Sequence, residues 1–386
     1  MPSRNVNVMY LGIGAGAGQP PKVTNPDRQY YQKATDSRQV LSKLVTGRGG
    51  AAVWLVLRRT APRGVLLAPA NLCYAALYPA LYAGWSVRFC DVDPADGNLT
   101  YESFRAGAER HRPDAAILPH MYGQPIRELP RILALCRERG ILTIEDCASA
   151  MGAEAEYPLG RMGDYTLYST GYAKPIQVGF GGLLTSETDP LDWVRAAQEG
   201  LPVYDEAIDQ TETLFSRLYR VLRNEGEGVL EQAVYAALPE GARRAFLFRL
   251  DAAQEQQVLR ALGGLEAEAS RRRAALAACE QALRDTGAIG QGSPLRLYPY
   301  TAGAMPWRLS LFAPAELRAR LIPACLNEGL PVSDWYPRVT PMFGDAGEYP
   351  GALEMERTIL NFPLSRHTAE RVCPVLARLI ESLTKE

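Results

Sequence analysis

Histidine and cysteine are scarce and scattered in this chain. Its 386 residues include three histidines and seven cysteines. The cysteine count is odd, the spacing is wide and no Cys-x-x-Cys motif occurs. This pattern argues against a zinc site, a histidine-rich metal site or a disulfide framework. We therefore predict no metal and free thiols in a reducing compartment, the cytoplasm.

An excess of one charge and a long apolar run are also missing. Lys+Arg is 42 and Asp+Glu is 43, which gives no electrostatic case for binding nucleic acid or an anionic membrane. No run approaches the roughly 18 apolar residues that a membrane span needs. The first 23 residues are glycine-rich and broken by Pro20-Pro21, which is atypical of a signal peptide. We expect a soluble protein with neither nucleic acid nor membrane as a partner.

Apolar residues make up 47 % of the chain, enough for a sizeable core. Between about residues 35 and 190, short apolar strand candidates alternate with helical stretches. This alternation predicts a mostly parallel sheet covered by helices on both faces. The C-terminal part has a strand–helix–strand–helix pattern, which predicts a small α+β domain. We place the large α/β domain, with an N-terminal arm, at 1–250 and the small domain at 251–386.

Residues 250–285 show helical spacing of apolar side chains. Five of them are predicted to be core residues: Leu259, Leu262, Leu276, Cys279 and Leu283. The run Arg271–Arg273 is predicted to be a solvated face.

The segment GIGAGAG at 12–18 resembles a dinucleotide-binding loop only superficially. That loop needs a helix directly after the glycines and an acidic residue about 20 positions later. Here two prolines follow at once, so we predict a turn-rich segment instead.

A single lysine, Lys174, stands in the uncharged, glycine-rich stretch YSTGYAKPIQVGFGG at 168–182. Imine formation with an aldehyde needs a neutral amine, and desolvation lowers a lysine pKa. This position therefore favours a Schiff-base lysine, and the obvious aldehyde is pyridoxal 5'-phosphate (PLP).

PLP needs two further points of attachment. Its pyridine nitrogen needs a carboxylate, and Asp146 follows the apolar strand candidate ILTIE. Its phosphate needs backbone N–H groups at a helix N-terminus, and Gly49-Gly50 opens a predicted helix. Each signal alone is weak, but all three fall where strands end in an α/β domain.

Four stretches carry a resemblance to a known family: 82–99, 119–125 (PHMYGQP), 141–153 (ILTIEDCASAMGA) and 160–186. The sequence resembles the DegT/DnrJ/EryC1/StrS aminotransferases, PLP enzymes of fold type I that often act on nucleotide-linked keto sugars. The resemblance implies a fold type I architecture, and a homodimer with the active site at its interface.

The resemblance also implies roles for individual residues. Lys174 would form the internal aldimine and shuttle a proton, and Asp146 would pair with the pyridine nitrogen. The phosphate would be bound by the Ser169 side chain and by backbone N–H groups of Gly49, Gly50 and Ala51. An amino donor such as glutamate would supply nitrogen to a keto or aldehyde acceptor, either a nucleotide sugar or a natural-product intermediate.

Five positions depart from the family pattern. Gly50 replaces a threonine, Ser149 a glutamine or histidine, Phe180 an acidic residue, Leu247 an asparagine, and Cys73 an aromatic residue for which Tyr74 is the alternative. Three interpretations follow: the phosphate is held differently, the substrate is not a nucleotide sugar, or turnover has been lost. Another PLP reaction (a lyase, decarboxylase or Cβ-substitution) and a silent ligand-binding protein therefore stay open beside transamination.

Four further residues are candidates for contact with substrate. His120 and Tyr122 follow a strand, and Tyr336 and Arg338 lie in DWYPRV, with Arg338 as an anion binder. Structural hydrogen bonding by His120 and packing of the small domain by the aromatic–proline loop are the alternatives.

Overall fold

The computed structural model describes residues 42–225 and 241–385. The glycine-rich segment 12–18, for which a turn-rich conformation is predicted, lies outside these residues.

The centre of the molecule is a seven-stranded sheet of order β1-β7-β6-β5-β4-β2-β3. Strands β2 to β6 pair in parallel, and β7 runs antiparallel to both β6 and β1. All five residues of β4 and of β5 are buried, as expected for strands covered on both faces. The predicted α/β sheet is therefore confirmed. Its strands are β1 (Ser42–Thr46), β2 (Val65–Pro69), β3 (Ser86–Cys90), β4 (Ala115–Pro119), β5 (Leu142–Asp146), β6 (Tyr165–Ser169) and β7 (Gly182–Ser186).

Local sequence signals set several helix ends. Thr100 and Asp251 each begin a helix with a capping box, and Gly140 ends another in the left-handed conformation. Within the described ranges, no helix is both long and apolar enough to cross a membrane. The helices are α1 (Gly49–Thr60), α2 (Tyr74–Tyr82), α3 (Tyr101–His111), α4 (Leu129–Arg139), α5 (Trp193–Gln198), α6 (Glu206–Glu225), α7 (Ala252–Leu262), α8 (Leu265–Asp285), α9 (Ala315–Asn327), α10 (Pro350–Thr358) and α11 (Cys373–Lys385).

The C-terminal part contains a second, antiparallel sheet of order β10-β9-β8. Its strands are β8 (Arg296–Leu297), β9 (Leu309–Phe312) and β10 (Ile359–Phe362). Buried residues of α8, α9 and α11 form an apolar core with this sheet. Val258 of α7 instead packs with Val45 and Leu183 of the large sheet. A domain boundary at residues 250/251 therefore stays a prediction.

Part of the predicted pattern over α7 and α8 is wrong. Leu259 is 39 % exposed, whereas Cys279 and Leu283 are fully buried. Arg272 and Arg273 do not form a solvated face, because they turn toward the loop that leads into β9. Arg272 Nη1 donates to the carbonyl of Trp307 (2.8 Å), and Arg273 Nε donates to that of Ala304 (3.2 Å). These guanidinium groups satisfy loop carbonyls that lack secondary-structure partners.

Candidate active site

Several predicted site residues meet at the carboxyl ends of the central strands. Asp146 ends β5, Ser169 ends β6, and Gly49 opens α1 shortly after β1. All three line one cavity of about 230 Å³, together with Lys174. The carboxyl edge of a parallel sheet is the usual place for a ligand in such folds.

Lys174 lies in the loop between β6 and β7, and two hydrogen bonds hold the main chain of the residue before it. Trp307 Nε1 donates to the carbonyl of Ala173 (2.6 Å), and the Ala173 N–H donates to Gln177 Oε1 (2.9 Å). Ala173 adopts a φ of 57°, an unusual conformation that these contacts hold. The Lys174 ammonium donates to Ser149 Oγ at 3.4 Å. Ser149 therefore contacts the lysine.

The electrostatics of Lys174 differ from the sequence-based expectation. Burial lowers the pKa of Lys174, but nearby Tyr336, Cys73 and Asp146 outweigh it, so the net direction is upward. Burial raises the pKa of Asp146, against the opposing effects of Lys174 and the Ala148 N–H, which donates to Oδ1 at 2.8 Å. The lysine therefore carries a proton that it must lose before attacking an aldehyde. Burial alone predicts the opposite shift.

The glycines at the start of α1 are closely packed, and the packing requires a glycine at position 50. A Cβ on Gly49 would lie 3.0 Å from Ser169 Cβ, and a Cβ on Gly50 would lie 2.1 Å from the Ala75 carbonyl oxygen. A threonine therefore does not fit at position 50, because α2 approaches too closely. The first turn of α1 contains no acidic residue, so its N-terminus is electrostatically suited to an anion.

Cys73 and Tyr74 both line the cavity but have different surroundings. The Tyr74 ring packs in an aromatic cluster, with centroids 4.8 Å from Tyr219 and 5.0 Å from Phe215. Cys73 is half-buried at the start of α2, and burial raises the pKa of its thiol. The Tyr74 ring is thus held in place by aromatic packing, whereas Cys73 is the smaller side chain of the two in this cavity wall.

His120 and Tyr122 do not line this cavity, contrary to the predicted contact with substrate. His120 Nε2 lies 3.0 Å from Glu145 Oε1, and Nδ1 accepts from the Ile126 N–H at 3.1 Å. Tyr122 is fully buried, and its hydroxyl accepts from the Tyr336 N–H at 3.0 Å. Both side chains are structural, because their polar atoms are engaged inside the protein.

Of the two candidates in DWYPRV, Tyr336 lines the cavity and Arg338 does not. Arg338 Nε pairs with Glu356 Oε2 of α10 at 2.6 Å. The predicted anion-binding role of Arg338 is therefore not supported by its position. The cavity contains another arginine, Arg308, which the sequence patterns did not single out. Its position at the start of β9, beside Trp307, was the available signal.

The sequence also did not indicate an ion pair next to Gly49 and Gly50. Arg48 Nη2 pairs with Glu212 Oε1 of α6 at 2.5 Å, and both residues line the cavity. Leu247 is buried among apolar residues, which accounts for an apolar side chain there. The Phe180 ring packs 4.7 Å from that of Tyr204, so an acidic residue would enter an apolar cluster.

The α/β sheet, with a lysine, an aspartate and a helix N-terminus at its carboxyl edge, is the arrangement of fold type I PLP enzymes. Within that class, the chain belongs to the DegT/DnrJ/EryC1/StrS aminotransferase family, whose sequence model matches residues 39–379. The predicted family and fold are confirmed.

Solved structures of similar fold cover most of the chain. The aminotransferase TlmJ from Streptoalloteichus hindustanus has a TM-score of 0.65 at 22 % identity and covers 89 % of this chain and 87 % of its own. NtdA from Bacillus subtilis, with bound pyridoxamine phosphate (PMP), has a TM-score of 0.61 at 14 % identity and covers 88 % and 73 %. Identities this low establish the fold alone.

Sequence similarity to curated proteins is more local. A UDP-N-acetyl-3-dehydro-alpha-D-glucosamine 3-aminotransferase from Acidithiobacillus ferrooxidans is 32 % identical over 148 residues. The match covers 37 % of this chain and 40 % of that enzyme. The similarity thus spans less than half of either protein.

Proposed function

We propose that this chain is a PLP-dependent aminotransferase that moves an amino group from a donor such as glutamate to a keto or aldehyde acceptor. The observation that carries the proposal is that Lys174 and Asp146 line one cavity at the carboxyl edge of the sheet. Membership of the aminotransferase family and the similarity in fold to NtdA, which holds PMP, support it.

The residues of the cavity fit this cofactor. Asp146 offers a buried carboxylate for a ring-nitrogen cation, and burial raises its pKa in the absence of one. Ser169 and the backbone at Gly49 and Gly50 lie together where a phosphate would bind. When bound, PLP supplies an aldehyde and an electron-accepting ring.

Lys174 has two tasks in this proposal. Its amine would hold the cofactor at the aldehyde, and the free amine would move the proton at the substrate carbon. Ser149 holds the Lys174 nitrogen during the second task through the 3.4 Å hydrogen bond. Asp146 would hold a proton on the ring nitrogen of the bound cofactor.

We propose a nucleotide-linked keto sugar as the acceptor. The support is the relative from Acidithiobacillus ferrooxidans, whose name describes an aminotransferase of a UDP-linked keto sugar. A natural-product intermediate is the second candidate, favoured by the departures at Gly50 and Cys73 in the cavity wall.

We further propose a homodimer with the active site at its interface. Leu214, Leu218 and Val221 of α6 are 65 %, 42 % and 49 % exposed and follow helical spacing. The same helix contributes Glu212 and Ser216 to the cavity wall. An apolar stripe on a wall helix suits a partner subunit seated beside the site.

We also propose the cytoplasm as the location. All seven cysteines are free, which suits a reducing compartment.

A half-reaction tests the proposed activity. PLP-loaded protein is mixed with glutamate alone, and the absorbance of the cofactor and the release of 2-oxoglutarate are followed. Release of one equivalent of 2-oxoglutarate with loss of the aldehyde-form absorbance, absent in Lys174→Ala, is the expected result. Release of CO₂ or of an elimination product would identify another PLP reaction. No spectral change with any donor–acceptor pair would favour a silent binding protein.

A further inference from the structure

Two cysteines lie against each other in the apolar core next to the second sheet. Cys279 belongs to α8 and Cys373 begins α11, and both side chains are fully buried. Cys373 Sγ donates to the carbonyl of Cys279 at 3.9 Å. Cys279 Sγ donates to the carbonyl of Ser365 at 3.9 Å, so both thiols lie where α8 packs on the segment that leads into α11.

The two thiols differ in acidity because they also interact with each other. A hydrogen bond with the Cys373 thiol lowers the pKa of Cys279 and outweighs the effect of burial. The same contact, together with burial, raises the pKa of Cys373. The thiolate is the form that an oxidant attacks, so Cys279 is the reactive member of the pair and Cys373 is the thiol positioned to react with it next.

Cys373 lies at a helix end, where a buried thiol becomes accessible most readily. It is the first residue of α11 and directly follows a single π-helical turn, Thr368–Val372, which is a rare conformation. Glu370 and Arg371 of that turn are exposed to solvent. Helix ends open locally at a lower free energy than helix centres. Opening at this point admits a small oxidant to both sulfur atoms.

We propose that Cys279 and Cys373 form an intrachain disulfide when the protein meets a hydroperoxide, and that this bond clamps α8 to α11. The Cys279 thiolate attacks the hydroxyl oxygen of the hydroperoxide, the O–O bond breaks, and the leaving oxyanion takes up the proton that Cys279 released. Cys373 sulfur then attacks the sulfur of the sulfenic acid, the S–O bond breaks, and hydroxide leaves as water with the proton of Cys373. The two thiols lose two electrons, which the hydroperoxide gains.

The clamp acts on more than the core, because α8 also supports the loop that leads into β9. Arg272 and Arg273 of α8 donate to the carbonyls of Trp307 and Ala304. Fixing α8 on α11 therefore holds this loop as well. The two cysteines are 94 positions apart, and closing so long a loop restricts the unfolded chain. We expect the disulfide to stabilise the folded protein.

Peptide mapping of the full chain tests the proposal without any variant. Protein treated with hydrogen peroxide is alkylated and digested with trypsin, and half of the sample is first reduced with dithiothreitol. The two cysteines fall in separate tryptic peptides, AALAACEQALR at 274–284 and VCPVLAR at 372–378. In the oxidised sample alone, we expect these peptides to be linked, with the loss of two hydrogen atoms. The Tm of the oxidised protein should fall by roughly 5 °C when dithiothreitol is added.

A matched variant separates the pair from other buried thiols. Cys325 belongs to the same core and is equally buried, so Cys325→Ala should still form the linked peptide. Cys279→Ser and Cys373→Ala should form none, and their Tm should not respond to dithiothreitol. In peroxide-treated Cys373→Ala, dimedone should label Cys279 as a sulfenic acid. In Cys279→Ser it should leave Cys373 unlabelled.

Three results would overturn the inference. The first is peroxide-treated wild type in which Cys279 and Cys373 are both alkylated although the half-buried Cys73 has been oxidised. The second is a link from either cysteine to a third one, and the third is a link found only between two chains on a non-reducing gel. The outcome is independent of the proposed activity: a protein that does not convert glutamate would still form the disulfide, and an active aminotransferase without the link would refute the clamp alone.

Discussion

Replacement of Gly50 by alanine places a methyl group where the structure has no room for one. The new Cβ would lie 2.1 Å from the Ala75 carbonyl oxygen and 3.1 Å from Pro79 Cγ. The nearest neighbour is backbone at the start of α2, so it cannot move aside as a flexible side chain would. The two helix ends must therefore separate by roughly 1 Å, an overpacking change.

Two opposing effects set the magnitude. Overpacking of this kind costs about 3 kcal/mol of unfolding free energy. Alanine in a helix recovers at most about 1 kcal/mol relative to glycine. We expect a net loss of about 2 kcal/mol, together with weaker PLP binding, because the same turn faces the cavity.

Urea unfolding followed by circular dichroism measures the loss, with Gly200→Ala as the matched control. A Cβ on Gly200 meets nothing within 4 Å, so its effect should stay within about 0.5 kcal/mol. A Gly50→Ala protein as stable as wild type, or one that binds PLP more tightly, would show that this glycine is not required by packing.

Three other changes have defined outcomes. Burial raises the pKa of the Glu145 carboxyl, but the hydrogen bond and charge of His120 outweigh it, so the pKa is lowered. The ionised Glu145 carboxyl therefore stabilises the fold above the ordinary glutamate pKa of about 4.3, and this stabilisation is lost as the pH falls through the lower pKa of the folded state. In unfolding titrations between pH 5 and 3, the free energy of unfolding should therefore fall less in Glu145→Gln than in wild type. Trp307→Phe removes the 2.6 Å hydrogen bond to the Ala173 carbonyl and should lower the unfolding free energy by about 1–3 kcal/mol. A cofactor titration should also show weaker PLP binding, and an unchanged titration would show that this hydrogen bond does not support the cofactor site. Leu218→Asp should shift sedimentation toward a monomer, and an unchanged dimer would place the interface elsewhere.

Local patterns were sufficient to predict the strands of the large sheet and the positions of Asp146 and Lys174. A strand ends where its apolar run ends, and the carboxyl ends of parallel strands lie at one edge of the sheet. The lysine stands alone in an uncharged loop, so its sequence context separates it from surface lysines. Both signals depend only on residues that are adjacent in the sequence, so they can be recognised without the structure.

The direction of individual side chains was not predictable in this way. Arg272 turns to a loop that is 34 residues distant in sequence, and His120 turns to Glu145 on the adjacent strand. Arg308 is recognised as a cavity residue only because the fold brings it there. Long-range contacts decide each of these cases.

The most direct test of the account is to find where PLP becomes attached. PLP-loaded protein is reduced with borohydride, digested and mapped by mass spectrometry, alongside Lys174→Arg treated identically. The account predicts a single labelled peptide that contains Lys174 in the wild type and no label there in the variant. A label on another lysine, or a wild type that is not labelled when saturated with cofactor, would contradict it.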